Sequence, residues 1–356
     1  MRVVLIGALL VGACGPASTT TATPTPSSDR SASLTPSPLA TQSSSIANRT
    51  FVVDPSAHWP VVLYEGDGGI VRQRTEAGAL ELARPCGEVA QLEARPVGLL
   101  AWCTTATIDS EDLRLITIPD GRVTTVLASN ALRAWPADIS PDGRSVAMYR
   151  LGDCPMPAPV CQTRLVLIDL ANHTERELLP SGYHLGSTLE WTALGLTFFQ
   201  PECADAGCVG EVDRRGTFVW DGSGFKRWSE LRFVASAGSW TLLERVRSLS
   251  DSSDQRAAVI RGPQGEQTLS AGHALAITAS GEALVWAPGP QLLMQFAPDG
   301  HVLWQARIEG TVLKMIGPDA FLAASPTSKI EIYDVKRMVR FTPSPVVSWI
   351  VAGVAR

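Results

Sequence analysis

The stretch Ser140-Pro141-Asp142-Gly143-Arg144-Ser145-Val146-Ala147-Met148-Tyr149, SPDGRSVAMY, puts a tight polar corner directly before an apolar run. Asp-Gly suits such a corner because the Asp side chain can bond nearby backbone N–H groups and Gly tolerates positive φ. The run that follows has strand-like composition and no helical spacing. The same unit, a turn and then an apolar strand, recurs as HWPVVLY (58–64), PVGLLAW (96–102), TALGLTFF (192–199), SAGSWTLL (236–243), ASGEALVW (279–286) and GPDAFLAA (317–324).

A second kind of hairpin follows each of these units. It reads GIVRQRTEAGALELA (69–83), LRLITIPDGRVTTVL (113–127), RLVLIDLANHTERELL (164–179) and GTFVWDGSGFKRW (216–228). It returns as AAVIRGPQGEQTL (257–269), LLMQFAPDGHVLW (292–304) and KIEIYDVKRMVRF (329–341). Strict alternation of the two hairpins gives a period of roughly 40–50 residues, the range of propeller blades. Each period then holds four strands, a to d. The expected fold is all-β, a seven-bladed β-propeller over residues 48–356, with six or eight blades as the alternatives. Two stacked sandwich domains would not require the alternation. Ser140 to Met148 resembles the SPDG turn and following strand of TolB-like, WD40-like propeller repeats. The resemblance implies the architecture of residues 50–356 and carries over no catalytic residue. The segment PSPVVSWIVAGVAR (343–356) is left for ring closure, with Val346 to Val351 expected to pair into the first blade.

The N-terminus reads as a secretory signal: Met1 and Arg2, an apolar run from Val3 to Val11, then small residues up to Cys14. Val11-Gly12-Ala13-Cys14 resembles the lipobox of bacterial lipoproteins. The resemblance implies cleavage before Cys14, acylation of its sulfur by a diacylglycerol (palmitate-type) anchor, and an extracytoplasmic place in the cell envelope. Residues 1–13 are then the signal peptide and 14–47 a linker of Ser, Thr, Pro and Ala. Such a composition cannot bury enough apolar surface to offset ordering entropy, which predicts disorder. A flexible chain of that length spans roughly 30 Å.

Cys86, Cys103, Cys154, Cys161, Cys203 and Cys208 remain, an even number in an exported chain, which argues for disulfides. On the repeat, Cys86 falls in a d–a connection and the other five in b–c connections. Both kinds emerge on one face of a propeller. The expected pairs are Cys86–Cys103, Cys154–Cys161 and Cys203–Cys208. A metal reading is weaker, since CADAGC (203–208) lacks the C-x2-C spacing of zinc sites.

The formal net charge of −5, with no basic stripe, argues against nucleic-acid binding. There is no H-E-x-x-H, no G-x-S-x-G elbow and no phosphate loop, so no catalytic, metal or cofactor residue is assigned. Recurrent tryptophans, Trp102, Trp191, Trp240 and Trp286, read as blade-to-blade packing rather than a sugar platform. The expected function is a binding or scaffold module for a protein, peptidoglycan or glycan. Its ligand face would be the disulfide-bearing one, with loops 103–112, 151–163, 200–215 and 245–256. The rival is a propeller hydrolase or lyase using Asp138, His184 or His273 at the channel mouth.

Overall fold

In the computed structural model, the described residues are 46–104, 111–127, 136–151, 163–179, 188–200, 216–246, 256–327, 329–343 and 350–355. They are strands and turns throughout, without a helix. The SPDG corner forms as its chemistry dictates. Gly143 takes φ 71° and donates its N–H to Ser140 O at 2.9 Å. Asp142 Oδ1 accepts from Ser140 Oγ at 2.6 Å and from Arg144 N at 3.1 Å. The corner at Thr278–Gly281 repeats this design without Pro or Asp. Gly281 N donates to Thr278 O at 3.0 Å and Glu282 N to Thr278 Oγ1 at 3.1 Å.

The chain begins with β1 (Ala47–Arg49) and β2 (Val52–Val53), then β3 (Val61–Asp67), β4 (Ile70–Thr75) and β5 (Gly78–Ala83). Blade 2 is β6 (Val89–Arg95), β7 (Gly98–Thr104), β8 (Glu111–Thr117) and β9 (Val123–Leu127). Blade 3 is β10 (Ala137–Ile139), β11 (Ser145–Leu151), β12 (Thr163–Asp169) and β13 (Glu175–Leu179). Blade 4 is β14 (Leu189–Thr192), β15 (Gly195–Gln200), β16 (Gly216–Trp220) and β17 (Phe225–Ser229). Blade 5 is β18 (Arg232–Ala237), β19 (Trp240–Arg245), β20 (Ala257–Gly262) and β21 (Gly265–Ala271). Blade 6 is β22 (His273–Ile277), β23 (Ala283–Ala287), β24 (Leu292–Phe296) and β25 (Val302–Arg307). Blade 7 is β26 (Thr311–Met315), β27 (Ala320–Ala324), β28 (Ile330–Asp334) and β29 (Val339–Phe341), and β30 (Ile350–Ala355) follows.

Each blade is one antiparallel sheet in the order a-b-c-d. In blade 1 the innermost strand is β30, which pairs with β3 from Val61↔Ala355 to Gly66↔Ile350. The closing strand therefore sits in the expected blade, with Ile350 and Val351 paired to β3 as expected; the rest of the expected segment, 346–349, lies outside the described residues. A bulge recurs early in the c–d pairs of blades 1 to 5, at Val71/Arg72, Leu113/Arg114, Leu165/Val166, Thr217/Phe218 and Ala257/Val259. Bulges raise the local right-handed twist of these pairs.

Alternate residues of the b and c strands face opposite neighbours, and the blade seams are filled by separate apolar clusters. Leu100, Leu113 and Met148 fill the seam of blades 2 and 3. Ala147, Leu165 and Phe198 fill that of blades 3 and 4. The seam of blades 7 and 1 is filled like the others, by Val61, Leu63, Leu322 and Ile332. Each of the Val, Leu, Ile, Phe and Met side chains among them contributes about 1.5–3 kcal/mol when buried, so the ring is held by packing on both sides of every blade. Trp102 and Trp286 are buried in these clusters and Trp191 and Trp240 pack against them, which is a packing role.

Two strands lie outside the four-strand pattern. β1 runs parallel to β25 on the outer edge of blade 6, and β2 runs parallel to β29 on the outer edge of blade 7. Between them Phe51 is buried and meets Tyr333 edge-on at 4.9 Å and Phe321 at 6.4 Å. Arg49 lies over the Trp304 ring at 5.2 Å. This strap covers two sheet edges that would otherwise present unpaired backbone. It lies within the compact unit Ser45–Arg356.

Candidate functional site

Strand direction sorts the connections onto two faces: a–b and c–d turns on one, b–c and d–a connections on the other. On the second face the b–c connections are unequal. Those of blades 2 to 5 run 105–110, 152–162, 201–215 and 246–256; those of blades 1, 6 and 7 run only 68–69, 288–291 and 325–329. The longer connections belong to successive blades.

Cys86 and Cys103 form a disulfide at the edge of this face. Cys86 is in the d–a connection entering blade 2, as expected. Cys103 is not in a b–c connection: it is a buried residue of β7, paired across the sheet with Asp112 and Val89. The apolar run PVGLLAW simply continues through it, so the strand reaches further than the turn signal suggested. The Cys86 segment is held from both sides, since Val89 N donates to Gly68 O at 2.6 Å and Thr104 N to Glu88 O at 3.0 Å. A side chain at Gly69 would meet Cys86 O at 2.2 Å, so the blade 1 turn and this segment require glycine to touch. Cys14, Cys154, Cys161, Cys203, Cys208 and His184 lie outside the described residues.

The a strands line the axis of a propeller, and Asp138 on β10 is buried among them. Its Oδ1 accepts from Arg95 Nε at 2.6 Å and Ile139 N at 2.8 Å. Its Oδ2 accepts from Arg95 Nη2 at 2.8 Å and Trp191 N at 2.7 Å. Arg95 belongs to blade 2 and Trp191 to blade 4, so one carboxylate ties three successive blades. Burial pushes the Asp138 carboxyl up from its ordinary value, against the pull of Arg95 and the Trp191 N–H. Arg95 also faces Glu93 at 3.3 Å, and Glu93 meets Lys314 of blade 7. Both Asp138 oxygens are engaged by protein donors, an arrangement suited to holding inner strands in place rather than to moving substrate protons.

His273 differs. It follows a one-residue d–a connection, Gly272, whose φ is 148°. A side chain on Gly272 would reach within 2.7 Å of Trp286 O, so this abrupt link and the position of the histidine depend on glycine. The imidazole stacks on Trp286 at 5.4 Å and 23°, and its Nδ1 lies 3.3 Å from Glu244 Oε1. Glu244, 1% exposed on its side chain, also faces Arg232 at 3.0 Å and Arg256 at 3.6 Å through Oε2. Burial pushes the Glu244 carboxyl up, but His273 and the two guanidiniums outweigh it and hold the pKa below the ordinary value. The cluster lies at the strand ends beside connection 246–256, on the face of the disulfide. Sequence reading singled out His273 but missed Glu244, Arg232 and Arg256, which come from β19, β18 and the residue before β20, with no linear motif.

A separate cleft of about 260 Å³ lies where the strap crosses from blade 7 to blade 1, lined by Trp59, Arg74, Arg340 and Phe341 among others. Its guanidiniums face internal carboxylates: Arg74 meets Glu65 at 2.5 Å and Arg340 lies 3.7 Å from Glu331.

Neither the protein-family models nor the curated proteins contain a match to this chain. Among solved structures, acylaminoacyl peptidase from Pyrococcus horikoshii is similar at 10% identity and TM-score 0.50, covering 83% of this chain and 54% of that one. The β-propeller domain of the trilobed protease from Pyrococcus furiosus is similar at 11% identity and TM-score 0.50, covering 84% and 99%. An oligogalacturonate lyase in complex with manganese reaches 13% identity and TM-score 0.48, covering 85% and 91%. The likeness is one of fold: all-strand, with seven blades. This chain spans about half the length of the peptidase. The P. furiosus domain is described as having an open velcro topology, whereas here β30 fills the inner position of blade 1.

Proposed function

We propose that this chain is a lipid-anchored, extracytoplasmic β-propeller that acts as a binding or scaffold module for a protein, peptidoglycan or glycan partner. The anchor is Cys14 and the tether is the segment from there to β1, which begins at Ala47. The partner meets loops 103–112, 151–163, 200–215 and 245–256. The observation that carries this reading is the run of long b–c connections over successive blades, on the face bearing Cys86–Cys103 and opposite uniformly short turns. Loops raised on a rigid ring lose less entropy on binding than free loops. The pairing of both Asp138 oxygens with protein donors also favours binding over catalysis at the channel. The test is capture of a partner by cross-linking in the native envelope, followed by charge reversal across the four loops. Unchanged affinity would reject this face. Retention of a Cys14→Ser variant in the membrane fraction would reject the anchor.

A hydrolase or lyase reading is favoured by one feature, the His273 imidazole stacked on Trp286 with Nδ1 3.3 Å from the buried Glu244. A carboxylate beside one ring nitrogen leaves the other to face a ligand. Turnover of a glycan or peptide by the wild type that is abolished in His273→Gln would favour it over the binding reading.

A further inference from the structure

We infer that the outer rim of blades 6, 7 and 1 rests on the lipid surface to which the chain is anchored; this rests on the reading of Cys14 as a lipid anchor and deepens it. The inference starts from apolar surface left uncovered. Among the described residues the large hydrophobic side chains that stay exposed are Ile46, Val52, Val53, Leu80 and Leu313, at 47%, 56%, 58%, 73% and 50%. Leu313 lies on β26, the inner strand of blade 7. The other four belong to the strap or to β5, the outer strand of blade 1. Val53 and Gly78 line the same cleft with Pro55 and Trp59, and Leu80 follows Gly78 by two positions, on the same side of β5. Single apolar residues scattered over a surface are ordinary, whereas a cluster on one arc marks a place of contact.

The opposite rim is built differently. In a ring of seven consecutive blades, the point across from blade 7 falls between blades 3 and 4. There the outer strands β13 and β17 expose Glu175, Arg176, Glu177, Lys226 and Arg227, the charged edge expected of a strand that faces water. β2 presents two valines at the same kind of edge. Chain direction says what covers them. The residues that follow Cys14 join the ring at this rim, which is therefore the part of the fold nearest the anchor along the chain. A tether spanning roughly 30 Å keeps the rim at high local concentration beside the bilayer, so a contact too weak to hold a free protein suffices. The rim is not basic: Arg84 is held by Glu81 through two hydrogen bonds of 2.8 Å, and Asp54 stands in the cleft wall. The contact is apolar and needs no anionic lipid. The ring then stands on edge, with the long b–c connections of blades 2 to 5 centred on the side away from the membrane and open to a partner.

The test uses the acylated full chain on phosphatidylcholine vesicles. A polarity-sensitive fluorophore is attached at Ala77→Cys, in the exposed turn before β5, or at Asn172→Cys, in the exposed c–d turn of blade 3. The Ala77 label should shift to the blue and be quenched by lipid-chain quenchers, while the Asn172 label stays in water; high salt should change neither. Val53→Asp and Leu80→Asp should each weaken the rim contact roughly tenfold, the lower end of what burying a Val or Leu side chain is worth, without releasing the chain from the vesicle. Both positions are exposed, and circular dichroism checks the fold; should either variant misfold, Val52→Asp repeats the measurement. An Ala77 label that stays in water, equal shielding at both labels, shielding lost in high salt, no effect of the aspartates, or shielding that vanishes at low surface density, as contact between copies would give, each overturns the inference. An anchored chain with its Ala77 label in water rejects the rim contact and leaves the anchor standing. A Cys14→Ser chain retained on vesicles with its Ala77 label shielded rejects the anchor and leaves the rim contact standing.

Discussion

Removing one aromatic ring from the strap tests whether residues 46–53 are part of the ring. Phe51 is 8% exposed and contacts Tyr333 and Phe321 edge-on in the cluster shared by blades 6 and 7. Phe→Ala in a core costs about 3–5 kcal/mol. The lower end applies because a strap on an outer edge can shift toward the space left behind. With unfolding entropy of about 2.1 cal/mol/K per residue, about 3 kcal/mol across Ser45–Arg356 lowers Tm by roughly 5 °C. The effect should also be local. β1 and β2 are held only to the edges of β25 and β29, so Phe51→Ala should free them before the ring melts. Calorimetry gives the first quantity; hydrogen exchange at Asn48, Arg49 and Val52 gives the second. A Tm change below about 1 °C together with unchanged exchange at these amides would refute the strap as a structural clasp, since the burial it rests on would then carry no free energy.

Asp138→Ala leaves Arg95 and the Trp191 N–H without their acceptor. It should cost about 3 kcal/mol, the low end for a broken buried pair because Arg95 still reaches water, read as a lower denaturant midpoint. The Cys86→Ser/Cys103→Ser variant opens a loop with a sequence separation of 17; it should lose about 3 kcal/mol by chemical denaturation. The acid side of the stability curve should depend on Glu244. Its folded pKa lies below the ordinary 4.5, so its contribution is complete above that value and is lost as pH falls through the lower, folded one. Glu244→Gln should flatten this acid-side slope in pH-dependent denaturation, and an unchanged slope would show that the carboxylate is not held charged.

Much of the ring was legible because each blade repeats the same chemical punctuation. SPDGRSVAMY and Thr278 with the following ASGEALVW differ in sequence, yet both place a hydroxyl residue and a glycine where the corner needs them. The closing strand was legible as an apolar run with no partner left in its own repeat. The strap was not. A three-residue and a two-residue strand carry no periodicity, and Ala47–Val53 gives no sign that its pairing is parallel or that its partners stand at 302–307 and 339–341. Cys103 was misplaced by its register, because an apolar run does not say where a strand stops. The Glu244 cluster stayed hidden for another reason: Arg232 opposes Glu244 directly across β18 and β19, but His273 reaches it from the next blade. Only assembly of the seam brings them together.

The strap and β30 also set the order in which this fold can be completed. β1 and β2 wait for β25 and β29, and β3 waits for β30, whose residues come almost 300 positions later. A chain emerging from the ribosome therefore holds β1 and β2 without partners, and β3 with only its β4 edge paired, until the last blades exist. Such late pairing carries a large loop-closure cost and leaves strand edges open to wrong partners meanwhile. Val52 and Val53, 56% and 58% exposed even when paired, are among the first residues at risk. Slow closure with early exposed valines makes refolding yield fall with protein concentration, and lets the ring complete itself only once the whole repeat has been delivered.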